Sequence, residues 1–356
     1  MEARLGPALG ALRDAGSCAA FAFLHLPGSL APWTDTGLDV SEGDALTILA
    51  EGTIVTSEAL RLRAGARFHL WRRIVPGGQV LKGTQDTTSF RAERAGRVEL
   101  GILHGEWATP AGELATPAEA WPNASGALDV AVVRWAPGVA PEHGLAALRA
   151  RLGADRLVDA ELARLRHPVL RPPGWEYLWR LGESDTFSCR TEKGRRAIAC
   201  HTRDDAAILR RALDLPTSED ATLSWRWRID ALPSGEPEDA LLQHDYLSVA
   251  VEWESGQDLT WLWSSRLEPG RVFRCPIPQW APRETHVVVR SGAAGLGAWQ
   301  SESRRLHEEH VRVLGAAPGR IVGVWLIAVS LFQHGEGRAE FDSLVLRSDG
   351  RAVELC

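Results

Sequence analysis

The sequence predicts a mainly β protein: two antiparallel β-sandwich domains, jelly-roll-like, joined by a short helical segment. Two patterns and the break between them carry that reading. Short stretches alternate apolar and polar residues with period two, and Gly-, Pro- and Asp-containing turns separate them. These stretches fill about 17–137 and return from about 181. Between them, 138–180 changes to leucines at helical spacing. The division read from the chain is 1–137, 138–180 and 181–356.

Taken in order, residues 1–16 place Leu5, Leu9 and Leu12 on one helical face. "CAAFAFLHL" (18–26) reads as a strand, and "LDVSEGDALTILAEGTIV" (38–55) as two strands around the turn at Glu42, Gly43 and Asp44. Strands follow at 67–74, 88–92, 96–105 and 126–135. "PEHGLAALRARLG" (141–153) and "ADRLVDAELARLRH" (154–167) read as helices separated by Gly153, and "PVLRPPGW" ends the second. The later strands are predicted at 195–202, 221–230, 245–254, 259–265, 285–292, 319–332 and 339–347, with one helix over 301–315. Many strands with a single helix argue for a sandwich rather than a parallel α/β sheet.

Composition narrows the function. The chain has 356 residues, 45% hydrophobic and 24% charged, enough apolar material for two cores. The formal charge is -6 and arginines are interspersed with acids, so no basic tract exists to bind nucleic acid. Five cysteines, Cys18, Cys189, Cys200, Cys275 and Cys356, have irregular spacing and no CxxC. That argues against a Cys-rich zinc site and for a reducing cytoplasm. No apolar run reaches the ~18 residues of a membrane span, and the start of the chain lacks the cationic region of a signal peptide. There is no GxSxG, P-loop or HExxH. "GAAGLG" (292–297) follows an antiparallel strand and lacks a βαβ context.

The 15 tryptophans are the unusual feature. On "HDYLSVAVEWE" (244–254), Leu247, Val249, Val251 and Trp253 share one face, while Tyr246, Ser248, Ala250 and Glu252 share the other. Trp225 and Trp227 alternate with Arg226 and Arg228; Trp261 and Trp263 alternate with Thr260 and Ser264. His286 and Arg290 join the polar side. Two readings are open: a Trp-rich core, with the polar face packed or binding a ligand, or a concave indole platform for sugars or flat molecules. The loops "EPEDALLQHDY" (236–246) and "FQHGEG" (332–337) supply Asp239, His244, Asp245 and His334, which could do acid–base work where the loops meet. His244 and Asp245 are adjacent and face opposite ways in an extended chain, so they do not form a pair by themselves.

The run "VVVRSGAAGLGAWQSESRRLHEEHVRVLGAAPGRIVGVWLIAVS" resembles the bacterial domain-of-unknown-function family 3047. Its V-R-S-G, W-x-x-E-x-R and P-x-x-I-x-G-V pattern matches here at Arg290, Ser291, Gly292, Trp299, Glu302, Arg304, Pro318, Ile321 and Gly323. "LTWLWSS" is similar to that family's L-x-Y-x-W-S strand. The resemblance covers roughly 180–350 and implies a β-sandwich but no established activity. Where the family carries an acidic D-x-D-N-T cluster, this chain reads "SLFQHG". "LDVSEGDALTILAEG" and "NASGALDVAV" are similar to calcium-dependent galactose lectins of the PA-IL type. That likeness implies calcium ligands at Glu106 and Asn123, with Ala124 in place of a further Asn.

The reading is thus a cytoplasmic protein that binds a carbohydrate or another small, largely apolar ligand. The alternative is a tailoring enzyme, a hydrolase or cyclase, using acid–base residues in a Trp-lined pocket. Catalytic candidates are His244, Asp245, Asp239 and His334. Ligand-binding candidates are Trp261, Trp263, Tyr246, Glu252, Arg226, Trp299 and Glu302. Metal candidates are Glu106 and Asn123. No cofactor other than calcium is implied, and neither nucleic acid nor a membrane is an expected partner.

Overall fold

The computed structural model describes residues 1–30, 32–58, 62–192 and 194–356. They form two compact units: Met1–Val169 with Gly182–Ser184, and Leu170–Leu181 with Asp185–Cys356.

In the N-terminal unit, helix α1 (Glu2–Asp14) precedes β1 (Cys18–Pro27), β2 (Trp33–Val40), β3 (Ala45–Ser57) and β4 (Leu62–Ala64). A single helical turn α2 (Ala66–His69) leads into β5 (Leu70–Val75), followed by β6 (Leu81–Lys82), β7 (Thr87–Arg91), β8 (Gly96–Ile102) and β9 (Ser125–Trp135). The strand predicted from 67 therefore starts at Leu70, because the buried Ala66 and His69 turn inward first. One sheet has the order β1-β9-β3-β4 with β7 also on β3; the other has the order β2-β8-β5-β6. Leu128, Val130 and Val132 of β9 point into the core between the sheets. Ala131, Val133 and Trp135, on its other face, pack with α1 and with helices α3 (Pro141–Leu152) and α4 (Arg156–Arg166). Leu145, Leu148, Leu157, Val158 and Leu162 bury the helical stripe seen in the sequence, and Asp155 caps α4 through the Leu157 and Val158 amides. The leucines read as part of a linker thus lie in the core of the N-terminal unit.

The C-terminal unit contains β10 (Glu176–Tyr177), β11 (Phe187–Glu192), β12 (Arg195–Arg203), β13 (Ala206–Pro216), β14 (Thr222–Ala231), β15 (Leu247–Trp253) and β16 (Asp258–Ser264). Then come β17 (Val272–Arg274), β18 (Glu284–Ser291), β19 (Gln300–Arg305), helix α5 (Leu306–Leu314), β20 (Arg320–Val329), β21 (Glu336–Ser348) and β22 (Arg351–Glu354). A seven-stranded sheet of order β10-β13-β20-β15-β16-β18-β17 faces a six-stranded sheet of order β11-β12-β21-β14-β19, with β22 on β21. Trp225, Trp227, Trp253, Trp261 and Trp263 fill the space between them. The first third of the predicted 301–315 helix is a strand: Gln300–Arg305 pairs with β14, and the helix begins at Leu306. One pair departs from antiparallel order, since β16 runs parallel to β18. A parallel neighbour needs a crossover, and here the crossover is 265–283, which includes the edge strand β17.

Both units are β-sandwiches, as the alternation predicts. None of the described helices is long and apolar enough to cross a membrane, and all five cysteines are free thiols.

Candidate functional site

Strands β15, β16 and β18 alternate strictly. Leu247, Val249, Trp253, Leu259, Trp261, Trp263 and Val287 enter the core between the sheets. The opposite face carries Tyr246, Ser248, Asp258, Thr260, Glu284 and His286, and these are buried too. The crossover covers them: Leu267, Phe273, Cys275, Ile277 and Trp280 form a second apolar cluster over this face.

Within that cover, His244, Cys275, Glu284 and His286 converge, with one donor atom from each lying within 4.8 Å of every other. Their exposures are 0%, 2%, 3% and 0%. Glu284 and His286 are two apart on β18 and so share a face. Cys275 follows the edge strand β17, whose Phe273 pairs with His286 and stacks on its ring at 4.8 Å. His244 ends the 3-10 turn before β15, and its Nδ1 lies 2.6 Å from the Glu238 carbonyl. A carbonyl only accepts, so Nδ1 carries the proton and Nε2 is left as an acceptor, 3.4 Å from Cys275 Sγ. Tyr246 donates to Glu284 Oε1 at 2.9 Å. His286 Nε2 lies 3.5 Å from the same oxygen, and neither of its ring nitrogens has a hydrogen-bond partner.

Burial dominates the proton affinities. It drives His244 down to about 4 and His286 well below the usual imidazole range, with His244 adding to the latter. It pushes the Cys275 thiol up, with the Glu284 charge adding to it. It also raises Glu284, and it raises Asp258, on which the Glu284 charge acts next. The neutral forms are therefore the ones a dry interior favours.

The four residues read as acid–base candidates are separated in role. Asp245 is fully buried and accepts from the Phe332 and Gln333 amides at 3.0 and 2.6 Å. The two loops do meet, through this carboxylate and through Gln333 Nε2 donating to the Leu242 carbonyl. His334 turns to Asp204 at 2.8 Å, and Asp239 pairs with Arg271 at 3.1 Å. His244 points into the cluster with Cys275 instead. Trp261 and Trp263 are fully buried; their indoles donate to Glu309 at 2.7 Å and to the Gly292 carbonyl at 3.0 Å. Glu252 holds Arg210 at 3.0 Å. Glu302 ties Arg290 and Arg304 together at 2.5 and 2.9 Å, at the edge of the tryptophan core. In the N-terminal unit, Glu106 is buried and Asn123 exposed. Among the described residues, Glu106 joins no group of His, Cys, Asp or Glu side chains close enough to share an ion.

The outer face of the six-stranded sheet is different. Trp299 is half-buried there, with the Arg226 and Arg228 guanidiniums 5.0 and 5.6 Å from its ring. Arg226 reaches Asp342 at 3.5 Å, while Arg228 and Arg190 reach Glu340 at 3.4 and 3.3 Å. The two arginines thus lie over the Trp299 ring and reach buried acids beneath.

The sequence reading missed Cys275, Glu284 and the partnership of His286 with them. The visible signal was Glu284-Thr285-His286 inside a strand, which puts two metal-capable groups on one face.

Residues 174–345 match a family described as "Protein of unknown function (DUF3047)". The match spans nearly all of the strands just described. No curated protein matches the chain. Among solved structures, the EclA N-terminal domain, a PllA-like lectin, is similar at 18% identity over 32% of this chain and 95% of that one, with TM-score 0.24. The xyloglucanase domain of NopAA, a type three effector from Sinorhizobium fredii, is similar at 10% identity over 51% and 95%, with TM-score 0.30. An exo-beta-agarase is similar at 11% identity over 52% of this chain and 25% of that one, with TM-score 0.28. At such TM-scores nothing about this chain's ligand follows from these likenesses.

Proposed function

We propose that the C-terminal unit binds a carbohydrate on the outer face of its six-stranded sheet. The observation that supports this is Trp299: a half-buried indole with the Arg226 and Arg228 guanidiniums over its ring, themselves held by Asp342 and Glu340. A sugar ring offers an apolar C–H face to an indole and hydroxyls to the N–H groups of guanidiniums, and this surface pairs those two features. The tailoring-enzyme alternative has less support. His244 and Asp245 are sealed from solvent, and Asp239 and His334 are engaged with Arg271 and Asp204.

Affinity electrophoresis through gels containing soluble polysaccharides tests this reading. Wild-type protein is retarded by at least one of them, and Trp299→Ala weakens that retardation roughly 3–10-fold, the share one aromatic contact supplies. The variant should melt like the wild type. Retardation by none of the polysaccharides, or equal retardation of Trp299→Ala, removes the proposal.

A further inference from the structure

The buried cluster under the crossover has a donor set that the glycan reading does not use. We propose that His244, Cys275, Glu284 and His286 bind one divalent transition metal of the zinc class in a closed, structural site. Four kinds of observation converge on it. Among the described residues, this is the only group of three or more His, Cys, Asp or Glu side chains placed to share an ion, and all four are buried. Zinc-like bonds of about 2.0–2.3 Å set tetrahedral donors about 3.4 Å apart. The 4.8 Å limit here leaves a contraction of at most about 1.4 Å, within reach of side-chain rotation.

The second observation is orientation. The Nδ1–H of His244 is fixed on the Glu238 carbonyl, and its free Nε2 is aimed at Cys275. A backbone carbonyl that fixes the tautomer and turns the other nitrogen inward is the usual outer shell of a metal-bound histidine. Tyr246 does the same for the carboxylate by occupying Oε1 of Glu284. The third observation is the unsatisfied group. His286 is wedged between Phe273, Tyr246 and His244 with no hydrogen bond at either nitrogen. Elsewhere in the chain the buried His69 and His104 each find a backbone carbonyl at 2.8 Å. A buried imidazole without a partner is costly, and a metal bond removes that cost.

The fourth is charge. A thiolate and a carboxylate around a divalent cation sum to zero, which a dry interior tolerates. One sulfur, two imidazoles and one carboxylate suit zinc by softness and by coordination number. Four protein donors leave no position for a water, so the site is structural. It would staple three segments: the loop before β15 through His244, the crossover through Cys275, and β18 through Glu284 and His286.

The test uses the full-length chain stripped with a chelator and reloaded with Co²⁺ or Zn²⁺ alone. Cobalt should give a thiolate-to-metal charge-transfer band and the intense visible bands of a tetrahedral site, at about one ion per chain. Zinc should raise the melting temperature above that measured in chelator. Cys275→Ser abolishes the charge-transfer band, and His286→Gln weakens zinc binding at least about tenfold. A Cys189→Ser, Cys356→Ser variant retains all four donors and must keep the wild-type spectrum. That variant keeps the test decisive if the ligand substitutions fail to fold. The proposal is overturned if wild-type protein melts identically in zinc and chelator with no cobalt band. It is equally overturned if the band disappears in the Cys189, Cys356 variant or survives Cys275→Ser.

Discussion

Two outer faces of the C-terminal unit carry polar side chains, and they differ in what lies over them. On the six-stranded sheet, Arg226, Arg228, Glu340 and Asp342 face outward beside Trp299, and the arginines remain partly in solvent. On the seven-stranded sheet, Tyr246, Ser248, Thr260, Glu284 and His286 also face outward, but the crossover 265–283 seals them. In the open case water reaches the arginine ends of the ion pairs and screens them. In the sealed case every polar atom must be matched from within. Period two therefore tells which residues share a face, while a connection elsewhere in the chain decides whether that face is wet or dry. The same alternation yields the proposed binding surface on one sheet and the proposed metal centre on the other.

The tryptophan core beneath both faces sets the largest effect. Trp261 is fully buried, and its ring lies 5.9 Å from that of Trp225 across the sheets. Trp261→Ala should cost about 3–5 kcal/mol of stability, the usual loss for a large aromatic in a core. Chemical denaturation of the full chain measures it. Were Trp261 a ligand platform instead, the variant would keep its stability and lose only binding, and the contrast between a core indole and the open Trp299 would fail.

A buried histidine that has a partner provides the reference for His286, which has none. In the N-terminal unit, His69 lies with Nδ1 2.8 Å from the Leu103 carbonyl. Burial drives its pKa down to about 3; the carbonyl opposes this, and His104 and Lys82 reinforce it. The sign follows from which state takes the proton first. The unfolded chain protonates near 6.5 and the folded one near 3, so the contribution of His69 is full above about 6.5 and is lost as pH falls toward 3. The slope approaches about 1.4 kcal/mol per pH unit inside that window. His69→Asn, which keeps a donor toward Leu103, should flatten the stability profile between about pH 6 and about pH 4. An unchanged profile would mean that His69 is not the group being protonated.

Much of this organisation was legible beforehand. The alternation of 221–230, 245–254 and 259–265 assigned the tryptophans to one face, and that face is the core. Within the Trp299, Glu302 and Arg304 pattern, Glu302 and Arg304 do pair, while Trp299 meets Arg226 of β14. What was hidden depends on long-range pairing. Strand β13 escaped notice because "AAILRRALDLP" is rich in Ala, Leu and Arg and shows no clean period. The crossover has no periodicity at all, so nothing local revealed that Cys275 would descend onto His286. The parallel pairing of β16 with β18, which requires that crossover, was equally invisible in a chain that otherwise reads as antiparallel.

On the sealed face, the hydroxyl of Tyr246 is the simplest probe. It is buried and donates to Glu284 at 2.9 Å. Tyr246→Phe leaves the packing in place and strands an acceptor, so it should cost about 1–2 kcal/mol. Equilibrium unfolding in urea reads this directly. A loss indistinguishable from zero would mean that water reaches Glu284 and that the crossover does not seal the face.

The open face should respond least. Arg226 lies 5.0 Å from the Trp299 ring and 3.5 Å from Asp342. An ion pair of a partly exposed arginine contributes roughly 0–1 kcal/mol, and a cation over an exposed indole about 0.5–1. These are contributions of one group to two partners, so single substitutions alone cannot apportion them. A double-mutant cycle with Arg226→Ala and Trp299→Ala isolates the indole share, with an expected coupling of about 0.5 kcal/mol that persists in high salt. The same cycle with Arg226→Ala and Asp342→Asn isolates the ion pair, and its coupling should shrink as salt screens it. If the Arg226–Trp299 coupling were instead as large as the loss expected for Tyr246→Phe, the outer face would be as dry as the covered one. Trp299 would then be a packing residue, and the difference between the two polar faces would vanish.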